Sequence, residues 1–342
     1  MSNYIVTSTF CLWATMLASG FLYQGQSGSQ PQSNAPELSL SRQATVTTEP
    51  IVLETPGGKL FGSLEAPKSS APLPVALIIA GSGPTDRNGN TRGIPGAVNN
   101  LKYLAEGLAA QGIASVRYDK RGVAESIKAA TSESELRFET YIDDAVLWGK
   151  QLRADKRFSS VIIIGHSEGS LIGMVAAQKM NADAFISISG AGRPAPQALL
   201  DQLKGKLPAD LQTKVEMITK SLSEGKIVED TPPALDALFR RSVQPYLISY
   251  FKYDPAKEIA KLSIPVLIAQ GTTDIQVPAQ DANLLAQAKP SAKLLMIEGM
   301  NHVLKEAPAE QEKQMKSYTD PSLPVAPKLI DGISSFIKTV KK

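Results

Sequence analysis

VIIIGHSEGSLIGMVAAQKM (161–180) decides how the rest of the chain is read. The β-branched run Val161 to Ile164 is the short apolar segment of a buried strand. Gly165-His166-Ser167-Glu168-Gly169 follows, and Ala, Gly and Met at helical spacing come next, predicting a helix over 169–180. Strand, G-x-S-x-G, helix is the setting of a nucleophile elbow, a sharp turn that lifts a serine hydroxyl above a sheet. Gly165 and Gly169 stand where a side chain would meet neighbouring strand and helix backbone. The Glu168 N–H opens the helix, where a developing negative charge finds an unsatisfied donor.

The alternation continues on both sides. PIVLET and KLFGSL flank Pro56-Gly57-Gly58, a hairpin signal. Buried-strand runs follow at 74–80, 113–118, 161–164, 184–189, 265–270 and 293–298, with helical patterns at 100–111, 139–154, 169–180, 279–288 and 328–340. Buried strands separated by helices predict an α/β fold, a mostly parallel sheet covered on both faces. Residues 195–257 carry helical spacing only, as in Leu235, Leu238 and Phe239. They are read as a helical cap inserted at the carboxyl edge of the sheet, where open α/β sheets bind ligands. Extra core helices remote from any site are the plain alternative.

A serine hydroxyl needs a base near neutrality. The chain has two histidines, His166 and His302. His166 adjoins Ser167 in a turn that sends neighbours apart, so it is expected to pack beside the elbow. His302, in the loop after the last strand, is the candidate base. Asp274, just past strand 265–270, is the candidate carboxylate that orients it. The order Ser…Asp…His is that of the α/β-hydrolases. A second oxyanion donor is expected from Gly81-Ser82-Gly83, after strand 74–80, and is assigned to the Ser82 N–H beside that of Glu168. The loop lacks the G-K-[ST] ending of a phosphate-binding P-loop. Asp119 and Arg121 are expected to form a structural turn or ion pair; Asp86 and Arg87 either line the mouth or brace the oxyanion loop.

Composition narrows the function classes. Of 342 residues, 43% are hydrophobic and 20% charged, enough for a sizeable core. Lys plus Arg number 36 against 33 Asp plus Glu, a net charge of +3, too balanced for a nucleic-acid binder. The single cysteine, Cys11, leaves no intramolecular disulfide framework and no cysteine zinc cluster. Residues 1–23 are a hydrophobic signal or anchor segment: 5–23 carry no charge, Ala18, Ser19 and Gly20 follow the apolar run, and the first Lys or Arg is Arg42. The protein is therefore expected to be exported, periplasmic or extracellular, or membrane-anchored, although the missing basic start leaves a cytoplasmic location open. Residues 24–45 are Gln, Ser, Gly and Pro-rich, a flexible linker ahead of one domain over 46–342.

GSGPTDRNGN (81–90), YDKRGVAES (118–126), GHSEG (165–169), IPVLIAQGTTDIQVP (264–278) and GMNHVLK (299–305) together resemble the α/β-hydrolase superfamily. More narrowly, the chain is similar to bacterial carboxylesterases and serine-aminopeptidase-like hydrolases over about residues 50–340. Many relatives carry His-Gly at the oxyanion loop, where this chain has Ala80-Gly81. The resemblance implies Ser167 as nucleophile, His302 as base, Asp274 as its acid, and the N–H groups of Ser82 and Glu168 as oxyanion donors. The implied reaction is hydrolysis of a small-molecule carboxylic ester through an acyl-enzyme, with no cofactor and no metal. A peptidase, amidase or thioesterase on the same triad, and a non-catalytic binding module of the same fold, are the alternatives.

Overall fold

The computed structural model describes residues 45–130 and 132–340, so the signal or anchor segment 1–23 and all but the last residue of the linker 24–45 lie outside the described residues. β1 (Val46–Thr55) and β2 (Gly58–Pro67) form the hairpin expected around Pro56-Gly57-Gly58, with Gly58 at φ 124°. β3 (Leu73–Ile79), α1 (Asn100–Ala110), β4 (Ala114–Tyr118), α2 (Phe138–Ala154), β5 (Phe158–His166), α3 (Glu168–Met180) and β6 (Ala184–Ile188) then alternate. Five helices follow before the sheet resumes: α4 (Ala195–Leu203), α5 (Ala209–Ser223), α6 (Asp236–Phe239), α7 (Gln244–Tyr250) and α8 (Pro255–Ala260). β7 (Val266–Gly271), α9 (Ala279–Ala288), β8 (Lys293–Ile297), α10 (Gln311–Ser317) and α11 (Pro327–Thr339) complete the order.

Among the described residues, all eight strands join one sheet in the order β1-β2-β4-β3-β5-β6-β7-β8. The pairs of β2 with β1 and β4 are antiparallel; every other pair is parallel. β5 runs longer than its apolar stretch because Phe158 and Ser160 also pair with β3. In the parallel part, successive side chains enter opposite cores. Leu77, Ile79, Val161, Ile163 and Phe185 pack with α2 and α3, whereas Ile78, Ile162, Ile164, Ile186 and Ile188 pack with α1 and α11. Both faces are covered, which is why these strands read as unbroken apolar runs.

The inserted helices share the first of these cores: Leu199, Val215, Leu222, Phe239 and Leu247 are continuous with the α2–α3 side of the sheet. Phe138, fully buried at the start of α2, joins the two layers. Its ring stacks on Tyr250 with centroids 4.6 Å apart and lies 5.1 Å from Tyr253. Its N–H donates to Ser249 Oγ at 2.8 Å. Truncating such a ring loses its burial and leaves a cavity. Phe138→Ala should cost about 3–5 kcal/mol of stability, read as a lower urea midpoint at unchanged slope; a wild-type midpoint would show that the inserted helices are not anchored there.

Candidate active site

The turn between β5 and α3 is strained and closely supported. Ser167 has φ 55° and ψ −123°, a region that side chains rarely occupy. Its N–H donates to Ile188 O at 2.9 Å, and its carbonyl accepts from the Ser170 N–H at 2.9 Å. A Cβ at Gly165 would lie 2.2 Å from Gly169 O, and one at Gly169 would lie 2.4 Å from Ile79 O. Only glycine lets the helix start this close to its own strand and to β3. Ser167 thereby faces open space at the carboxyl edge of the sheet.

His302 and Asp274 arrive from neighbouring strands. The β7 exit carries Asp274 and the loop after β8 carries His302, both buried. The His302 Nδ1–H donates to Asp274 Oδ2 at 2.9 Å, which leaves Nε2 as the basic nitrogen. Asp274 Oδ1 accepts from the Gln276 and Val277 N–H groups, each at 2.9 Å, and Gln270 Nε2 donates to Oδ2 at 3.2 Å. Burial pushes the Asp274 carboxyl up, but the His302 ring and the two N–H donors outweigh it and hold it below the ordinary carboxylate value. The His302 loop is tied by Asn301, which donates from Nδ2 to Ser317 Oγ at 2.7 Å and accepts the Lys305 N–H at 3.1 Å. Ser167 and His302 line one cavity.

His166 packs beside the elbow, as its position implies. Its Nε2–H donates to the His302 carbonyl at 2.8 Å, and the two ring centroids are 5.0 Å apart. Burial, with the His302 ring, pulls it down to about 3. It is a neutral strut under the neighbouring backbone.

The loop after β3, which carries Gly81 and Ser82, lies against the elbow: a Cβ at Gly81 would be 3.2 Å from Ser167 Cβ. No acceptor among the described residues is hydrogen-bonded to the Ser82 N–H or the Glu168 N–H. Asp86 and Arg87 brace this loop. Asp86 Oδ1 accepts the Asn88 and Asn90 N–H groups at 2.8 and 2.9 Å, and Arg87 donates to Asp119 Oδ2 from Nε and Nη2. Asp119 and Arg121 are both structural but do not pair with each other; Arg121 instead donates to Asp144 of α2 at 2.6 and 3.0 Å.

Two residues escaped the sequence reading. Lys120, 2% exposed, donates from Nζ to Gly81 O and lies 3.7 Å from Glu168 Oε1. Asp281 of α9 is buried, holds the Gly192 N–H at 2.9 Å and pairs with Arg193 at 2.7 Å. A lysine in an Asp-Lys-Arg run drew no reading, and an aspartate on a polar helix reads as solvated charge. Only the apolar run ahead of Lys120 hinted that it enters the interior.

Two lobes of space meet at Ser167. One, about 610 Å³ with its open mouth included, lies under α4, α7 and α8; Leu171, Ala195, Leu199 and Val277 give it apolar wall, and Arg193 and Asp281 give it a charged one. The other, about 470 Å³, contains His302 with Thr85, Thr91 and Gln276. Ser82 borders both.

This is an α/β-hydrolase fold with a serine, a histidine–aspartate pair and unsatisfied N–H groups at one sheet edge. The serine aminopeptidase S33 family matches residues 92–307, and the chain belongs to that family. It is 29% identical over 263 residues to the esterase EstD of Thermotoga maritima, covering 75% of this chain and 61% of that protein's length. Among solved structures it is similar to Est1E of Butyrivibrio proteoclasticus with ferulic acid bound, at TM-score 0.56 and 16% identity over 85% of this chain and 98% of that one. It is also similar to a thermophilic esterase of Thermogutta terrifontis, at TM-score 0.52 and 15% identity over 86% of this chain and 100% of that one.

His166 sets a pH dependence of stability. Its folded value lies below the ordinary 6.5, so below that pH the unfolded chain binds the extra proton. Stability contributed by the neutral ring is present above pH 6.5 and is lost as pH falls toward 3. Between pH 7.5 and 5 the wild type should lose about 2 kcal/mol more than His166→Gln, measured by urea unfolding; equal losses would place the proton elsewhere.

Proposed function

We propose that this protein is a serine carboxylic ester hydrolase acting through Ser167, His302 and Asp274. The observation that carries the reading is the 2.9 Å His302–Asp274 bond behind a cavity that Ser167 also lines. Ser167 Oγ attacks the ester carbonyl carbon while His302 Nε2 takes its proton. Asp274 fixes the ring's tautomer and stabilises the imidazolium. The negative charge on the former carbonyl oxygen is met by the N–H groups of Ser82 and Glu168. Collapse expels the alcohol, which takes the proton from His302. Water, deprotonated by His302, then attacks the acyl-enzyme and regenerates Ser167. The chemistry calls for no metal or cofactor.

The two lobes divide the substrate. The alcohol leaves beside the group that protonates it, so it belongs in the lobe containing His302. The acyl group then belongs among Leu171, Ala195, Ala198, Leu199 and Val277, whose apolar surface suits a hydrocarbon chain. The family's aminopeptidase description favours one further reading, hydrolysis of an amide on the same residues, in which His302 protonates an amine. Parallel assays on acyl esters and aminoacyl amides separate them; faster turnover of amides would replace the ester reading.

Ser167→Ala should abolish p-nitrophenyl acetate hydrolysis with the fold intact by circular dichroism, and retained turnover would refute the assignment. Asp274→Asn should lower kcat by about 10⁴, the precedent for this tautomer-setting role; a near-wild-type rate would move the acid elsewhere. Export or anchoring through residues 1–23 is part of the proposal. Mass spectrometry of the chain from cells should find it shortened by about 20 residues, the length of a whole export signal, or intact in the membrane fraction. An intact chain in the cytosol would contradict that part.

A further inference from the structure

Lys120 lies outside the triad, yet it touches both segments assigned to the oxyanion hole. The strand order puts β4, β3 and β5 side by side, so their carboxyl exits are adjacent. The β4 exit carries Lys120, the β3 exit carries Gly81-Ser82, and the β5 exit opens into Ser167-Glu168. Lys120 Nζ donates to the Gly81 carbonyl and reaches the Glu168 carboxylate at 3.7 Å, with the Tyr141 ring 5.4 Å away. The middle exit is thus held from one side by a side chain that also reaches the far one.

The Gly81 carbonyl and the Ser82 N–H are two ends of one peptide unit. None of the described peptide bonds is cis. In a planar trans peptide the N–H points opposite to the C=O, so fixing the carbonyl fixes the direction of the N–H. The Ser82 N–H meets no acceptor among the described residues, and the peptide borders Ser167, as the 3.2 Å approach at Gly81 shows. A donor on the carbonyl also draws electron density along the unit and makes the N–H a better donor. We infer that Lys120 is a positioning residue of the oxyanion hole: it anchors the Gly81 carbonyl so that the Ser82 N–H is aimed where the oxyanion forms, and ties that peptide to Glu168. This rests on the ester hydrolase reading of the site.

The competing role is charge compensation alone, because an unpaired Glu168 carboxylate in this interior would be costly. Burial pulls Lys120 down and pushes Glu168 up, each restrained by the other. The double variant Lys120→Met/Glu168→Gln separates the roles, since it removes both charges and keeps the Glu168 backbone N–H. Neutral replacement of a buried pair is tolerated far better than removal of one partner. With p-nitrophenyl acetate, the double variant should lose about 10- to 100-fold in kcat, part of the effect of deleting a whole oxyanion donor. KM should stay within about twofold, as for an interaction made only in the transition state.

Inhibition by a trifluoromethyl ketone, whose hemiketal oxygen occupies the oxyanion position, should weaken by the same factor as kcat. Lys120→Met alone should show at least that loss. A double variant with wild-type kcat and wild-type ketone affinity would reduce Lys120 to charge compensation and overturn the inference. Equal losses in kcat and affinity for a ground-state product acid would overturn it too, since a distorted pocket loses both. Ser167→Ala, assayed alongside, keeps the two levels apart. If it is inactive while the double variant is wild type, only the role of Lys120 fails; if it remains active, the ester hydrolase reading fails with it.

Discussion

Ser167 sits at φ 55° because strand, helix and neighbouring strand converge on it more closely than any side chain at Gly165 or Gly169 would permit. This local strain depends on the rest of the fold. The Ile188 carbonyl holds the Ser167 N–H from β6, and the β3 backbone presses on Gly169 from the other side. Each contact comes from a strand adjacent to β5, and those strands are fixed by apolar side chains alternating into two cores. Hydrophobic burial spread over the sheet therefore sustains an unfavourable conformation at one residue.

The same edge gathers the other polar groups. Asp274 enters from the exit of β7 and His302 from the loop after β8, so neither needs a long or mobile connection to reach the other. Elsewhere the described interior holds several charge pairs. Arg121 meets Asp144, Arg193 meets Asp281, Arg117 meets Glu65, and Lys120 meets Glu168. Desolvation offsets most of the Coulomb gain of such pairs, so their visible consequence is geometric. Arg193 and Asp281 join the start of the inserted helices to α9 and form part of the polar lining of the lobe beside Ser167. Arg121 and Asp144 fasten the β4 exit to α2.

The fold was legible because its evidence is local and periodic. Strand 161–164 and the helix after it could be read from β-branched residues and helical spacing, and the structure places them at Phe158–His166 and Glu168–Met180. Ser167, Asp274 and His302 were legible for a related reason: each follows a strand that ends at the same edge. What escaped depends on long-range contact. Lys120 drew no reading from its place between Asp119 and Arg121, yet its ammonium ends on a carbonyl that lies 39 residues earlier in the chain. Asp119 and Arg121, neighbours in sequence, take partners from different segments, Arg87 and Asp144. Both lie in the turn just past β4, where pairing is decided by which distant segment packs against each side chain rather than by nearness along the chain.

A reactive Ser167 is the central claim, and covalent labelling addresses it most directly. The folded protein should be incubated with a fluorophosphonate at neutral pH, digested, and mapped by tandem mass spectrometry. A single adduct on Ser167, formed in proportion to enzyme and blocked by heat denaturation, is the outcome this account requires. An unmodified protein, or a phosphonate on a different serine, would contradict it.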